Sequence, residues 1–192
     1  MSGVEVGHKP TSRTNGRTTV LSREQKGVLL GMGAGALVTV IILSAPSNWF
    51  GVALPADLPG RLTVAIHADA VAMLWLLAAI ANVARQRFFS PADIDGGGLA
   101  PASKRISVGI AVLQNTLEQS ALASILYPSL ACLVSGEGFL LIPQLLTLFC
   151  IGRLTFWLGY RHGAPWRAFG FATTFYPTVF GYAFLVSHWI RG

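Results

Sequence analysis

The sequence predicts an all-α integral membrane protein, and three observations carry that prediction. Hydrophobic residues make up 53% of the 192, charged residues only 11%, and mean hydropathy is +0.57. A soluble domain carries about twice that charge, and disorder needs the opposite balance. Five apolar runs reach or approach the roughly 20 residues that cross a bilayer. The 14 Lys and Arg cluster between those runs, as topology-setting charges do, so the net charge of +6 needs no nucleic-acid partner.

Residues 1–26 are polar and rich in Ser, Thr, Gly and basic side chains, and read as a cytoplasmic tail. The first span, 27–45, follows as an uncleaved anchor, because the polar lead is long for a signal peptide and no small-residue cleavage pattern follows Ser44. Pro46, Asn48, Pro55 and Pro59 break the chain before a second span from about Leu62 to Ala84. Pro91, Asp93, Asp95 and three glycines break it again, and the third span runs from about Ile106 to Val134. Ser135-Gly136-Glu137-Gly138 predicts a tight turn, followed by a span from about Phe139 to Tyr160. His162-Gly163-Ala164-Pro165 predicts another, followed by a span from about Ala168 to Trp189, kinked at Pro177. Trp49, Trp166 and Trp189 fall at span ends, where aromatic belts lie.

Eleven basic residues then fall on one side: Lys9, Arg13, Arg17, Arg23 and Lys26 in the tail, Arg85, Arg87, Lys104 and Arg105 in the second connection, Arg161 and Arg167 in the fourth. Arg61 and Arg191 fall on the other. The positive-inside rule puts the N-terminus in the cytoplasm and the C-terminus outside, in what reads as a bacterial inner membrane.

Few polar groups interrupt the spans. Gly27, Gly31 and Gly35 form a doubled GxxxG, a face that lets another helix approach closely. His67 and Asp69, two residues apart, point to nearly opposite sides, with Arg61 a candidate partner for Asp69. Cys132 and Cys150 lie in apolar runs and read as buried, inert thiols; no metal cluster can be built from them. Asn115, Glu118 and Gln119 stand at i, i+3 and i+4. Arg153, seven residues before Tyr160, lies at a matching depth, so the expectation is a Glu118–Arg153 ion pair, in one subunit or across two, either structural glue or part of a polar pocket open to the cytoplasm.

Residues 62–190 resemble the MAPEG family, the membrane-associated proteins in eicosanoid and glutathione metabolism. The resemblance rests on Asn115-Thr116-Leu117-Glu118, on Gly152-Arg153 followed by Tyr160, and on Ala164-Pro165-Trp166-Arg167, in that order on the right spans. It implies a MAPEG-like four-helix bundle, with the N-terminal transmembrane helix as an addition, assembling as a homotrimer among membrane lipids. It also implies glutathione as co-substrate on the cytoplasmic side, held by Asn115, Glu118, Arg153 and Tyr160, with Arg167 as the catalytic group stabilising its thiolate. Family arginines before the Asn-x-x-Glu are replaced here by Ala111 and Gln114; Ala168, Phe171 and Phe156 replace a Ser, a Tyr and a His. Two functions follow as expectations. One is glutathione-dependent transfer to, or reduction of, a lipophilic electrophile; the other is a non-catalytic scaffold or accessory subunit of a larger membrane complex.

Overall fold

A computed structural model describes residues 21–51, 54–95 and 103–191. Most of the predicted tail, and the glycines after Asp95, lie outside the described residues. Five long helices follow one another: α1 (Arg23–Leu43), α2 (Leu58–Phe88), α3 (Lys104–Leu133), α4 (Leu141–His162) and α5 (Ala164–Arg191). Each predicted span is a helix, with ends that differ from the predicted ones by a few residues. α1 starts four residues before the predicted span because Ser22 and Gln25 form a reciprocal capping box that satisfies its first N–H groups. Asp57 and Ser103 cap α2 and α3 by a single bond each, their side chains accepting from the Gly60 and Ile106 N–H groups. The predicted turn at 135–138 opens a short 3-10 segment, Gly136–Leu140, and Gly163 turns between α4 and α5 at φ 101, a conformation open to glycine.

The helices alternate in direction, and cross-helix contacts fix which ends coincide. Arg61 Nε at the start of α2 donates to the Ala131 carbonyl in the last turn of α3 (3.0 Å), and Nη1 donates to Ala56 (3.0 Å). Arg61 therefore serves backbone carbonyls rather than Asp69, whose buried Oδ1 has no partner among the described residues. Gln144 near the start of α4 donates to Leu43 and Ala45 at the end of α1 (3.2 Å each). Pro165 at the start of α5 lies against Gly27 and Gly31 near the start of α1. The starts of α1, α3 and α5 thus share one end with the finishes of α2 and α4. Arg23, Lys26, Arg85, Arg87, Lys104, Arg105, Arg161 and Arg167 all belong to that basic end, and Arg61 and Arg191 to the other.

Four helices are long and apolar enough to cross a membrane; α3 is the exception to the predicted five. Its polar side chains interrupt the run. It nevertheless extends along α2 from Gly109, beside Val83 and Gln86, to Ala131 under Arg61. α4 is the central helix, with 61% of its apolar stretch buried against 17% for α1. The main apolar core, including Leu126, Tyr127, Leu130, Phe139, Ile142 and Phe149, gathers toward the end away from the basic side chains. Exposed Leu30, Leu37, Leu74 and Leu77 face outward, as lipid-facing residues do. Cys150 accepts a contact from Trp75 Nε1 (3.4 Å), whereas Cys132 is exposed and not buried as predicted, because it stands on the outer face of the last turn of α3.

The Gly27–Gly31–Gly35 face packs on α5 of the same chain. A Cβ on Gly31 meets the Pro165 carbonyl oxygen, and one on Gly35 falls 2.8 Å from Ala172 Cβ. Gly31→Leu is expected to push α1 off α5 and lower stability by about 1–3 kcal/mol or more. Thermal unfolding in detergent measures this, and an unchanged midpoint rejects the packing role.

Candidate functional site

The residues singled out by sequence separate into three groups. In the first, Arg153 is 2% exposed, and its guanidinium is enclosed on every side. Nη1 donates to Asn115 Oδ1 (2.7 Å), and Nε and Nη2 donate to Thr174 Oγ1 (3.3 and 3.1 Å). The rings of Phe149 and Phe156 lie 5.9 and 5.0 Å from its central carbon. Thr174 in turn donates to Gly170 (3.2 Å). The three polar residues lie about 15 Å from the basic end along their own helices, at 1.5 Å per residue. Glycine makes this knot possible: a Cβ on Gly170 would run into the Phe156 backbone, and one on Gly152 into Thr174 Oγ1. The Gly-Arg pair is therefore a packing device, and Phe156 is one wall of the guanidinium's cage.

Glu118 stands apart, and the predicted ion pair with Arg153 is absent within the chain. Its Oε1 accepts from Gln114 Nε2 (3.0 Å) on the exposed face of α3. The reason is helical rotation. At 100° per residue, Glu118 lies about 60° to one side of Asn115 and Gln119 about 40° to the other. Gln119 turns into the bundle, 3% exposed, and Glu118 turns out.

The third group is at the basic end. The Arg167 guanidinium stacks 4.8 Å over the Tyr160 ring, and Phe156 meets that ring edge-on at 5.6 Å. Tyr160 is shared with a cleft of about 510 Å³ between the ends of α2, α3 and α4. Asn82, Arg85 and Gln86 come from α2, Lys104 and Arg105 from α3, Trp157 and Arg161 from α4. Among the described residues four cations line it and no carboxylate does. Gln86 Oε1 is buried there without a donor among the described residues. The sequence reading tallied these four cations as topology markers and missed them as a site, because they sit on three helix ends and converge only in the fold.

Beside the cleft, Asp93 ties the end of α2 to the start of α3. Asp93 accepts from the Ser103 N–H (2.9 Å) and from the Ser90 hydroxyl, and Ser103 caps α3 just before Lys104. Those bonds, the Ser103 backbone first and Ser90 next, hold the Asp93 carboxyl below its usual range. Phe171 stacks on Phe175 at 5.1 Å, so its ring is occupied in packing. No group of three or more potential metal ligands occurs among the described residues.

An all-helical bundle with long apolar helices and a charged cleft at one end defines an integral membrane protein. The MAPEG family model matches residues 63–187, well over half of the chain, and the chain belongs to that family. α1 lies outside the matched segment. Neither curated proteins nor solved structures give a match.

Proposed function

We propose that the protein is a glutathione-dependent transferase or peroxidase acting on lipophilic electrophiles, with glutathione held at the basic end. The cleft between α2, α3 and α4 carries the reading. Glutathione brings two carboxylates, an ammonium group, two amides and a thiol. Arg85, Lys104, Arg105 and Arg161 suit the carboxylates, and arginine offers them paired donors. Gln86 Oε1, which has no donor, suits an amide N–H. These cations replace the charge missing at Ala111 and Gln114. Tyr160 closes the cleft, and Arg167 stacked on it supplies the positive charge that lowers a thiol pKa.

Glu118 lies deeper than the cleft and faces outward, so its part would be to meet the ammonium group of a glutathione that reaches inward along a subunit boundary. Its position favours an assembly that covers it. It lies about 21 Å along α3, where a carboxylate facing lipid is costly and a neighbouring subunit relieves the cost. A homotrimer, the family's arrangement, covers this face, and the basic end faces the cytoplasm by charge asymmetry. One observation favours the accessory-subunit reading instead: the Arg153 guanidinium is fully buried and spent on packing, with the Asn115 oxygen engaged in holding it.

Isothermal titration of the purified protein with glutathione separates the two. The catalytic reading expects sub-millimolar binding that weakens about tenfold or more in Arg85→Ala, the loss of one charge-assisted contact. Absent binding by the wild-type protein turns the assignment to an accessory subunit.

A further inference from the structure

At the end of the bundle away from the basic cleft, a cavity of about 500 Å³ opens between the end of α1, the 3-10 turn before α4, and α5. Phe180, Phe184 and Leu43 make apolar walls, Ser47 and Glu137 stand among its polar lining, and Gln144 forms part of the floor. Without α1 there is no such cavity, since Leu43, Ala45, Pro46 and Ser47 make one side of it.

We infer that this cavity is a binding site for a membrane lipid with an ammonium head, its chain against Phe180 and Phe184 and its head at Glu137. Three observations carry the inference. Among the described residues Glu137 is the one charged side chain in the lining, and it is exposed, so the site favours a head with an ammonium group and no net charge over a net-anionic one. Gln144 is 5% exposed, and its Nε2 is committed to the carbonyls of Leu43 and Ala45. Its Oε1 accepts from no side chain or backbone group among the described residues, which leaves an acceptor for a head-group N–H or O–H. The depth also fits. Phe184 and Phe180 lie about 10 and 16 Å before the end of α5, at 1.5 Å per residue, which is the depth of acyl chains just inside the head-group region. The inference stands apart from the glutathione reading, because it concerns the opposite end of the bundle and a helix outside the family match.

The test uses the full chain in liposomes, with phosphatidylethanolamine or phosphatidylglycerol carrying the same diazirine-bearing acyl chain. Irradiation and peptide mapping read where each attaches. The amine-headed lipid is expected to label the peptides of Leu43 and of Phe180–Phe184 several-fold more than the anionic one, and unlabelled phosphatidylethanolamine is expected to compete. Glu137→Gln, in an exposed turn, is expected to remove the head-group preference. Equal labelling by both lipids in the wild-type protein overturns the inference. So does labelling no denser there than on the open face of α2 around Leu74 and Leu77, the mark of unspecific surrounding lipid. A diazirine alkylamine added from water that displaces the lipid at equal concentration overturns the lipid as occupant.

Discussion

Asn115→Leu is expected to lower stability by about 1.5–3 kcal/mol, the worth of a hydrogen bond to a charged group. Arg153 is a buried cation with two polar side chains to receive its N–H groups, Asn115 and Thr174. Leucine takes the first away and leaves Nη1 in an apolar enclosure. The lower figure is the better guide in a membrane setting, where polar groups find substitute partners. Glu118→Gln, measured beside it, is expected to change subunit stability by no more than about 0.5 kcal/mol, as for an exposed position away from any buried network. Thermal unfolding in detergent gives both values, and native electrophoresis reports separately on any change in assembly at Glu118. Comparable losses for the two variants reject the arrangement around Arg153.

That contrast also marks where the sequence stops being informative. Apolar run length locates α1, α2, α4 and α5, because crossing a bilayer is a requirement on consecutive residues. Gly136 and Gly163 locate their turns for a similarly local reason. The depth of Arg153 is legible too, since rise per residue is constant. Its partner is not. Asn115 and Glu118 lie within one turn of each other, and which of them faces α4 depends on how α3 is rotated about its axis. That rotation is set by Gly109 against Val83 and by Ala131 under Arg61, contacts distant in sequence. The cleft was hidden for a related reason. Arg85, Lys104 and Arg161 belong to three helix ends, and charge counting registers their side of the membrane without their convergence. The doubled GxxxG fared better: glycine at every fourth position announces a close approach whatever the neighbour is, and only the identity of that neighbour, α5, had to come from the fold.

The kinetic prediction with the largest effect concerns Arg167, and its value lies in a comparison with Arg85. Arg167 sits over the Tyr160 ring, outside the lining of the cleft, while Arg85 lines it. If the cleft holds the carboxylates of glutathione and Arg167 stabilises its thiolate, the two substitutions act on different parameters. Arg85→Ala removes a contact made equally in ground and transition states, so KM for glutathione rises about tenfold or more with little change in kcat. Arg167→Lys keeps a positive charge but loses the planar guanidinium that stacks on Tyr160 and presents several donors at once. A thiol with pKa about 8.5 is only a few per cent ionised at pH 7, so losing about one unit of stabilisation lowers the thiolate fraction about tenfold. The expected result is a fall in kcat of that order at pH 7, shrinking as pH rises and the thiol ionises unaided. A chlorinated nitrobenzene with glutathione supplies the assay. A parallel rise in KM for both variants places Arg167 in binding alone, and a wild-type protein with no turnover above the uncatalysed rate removes the catalytic reading altogether.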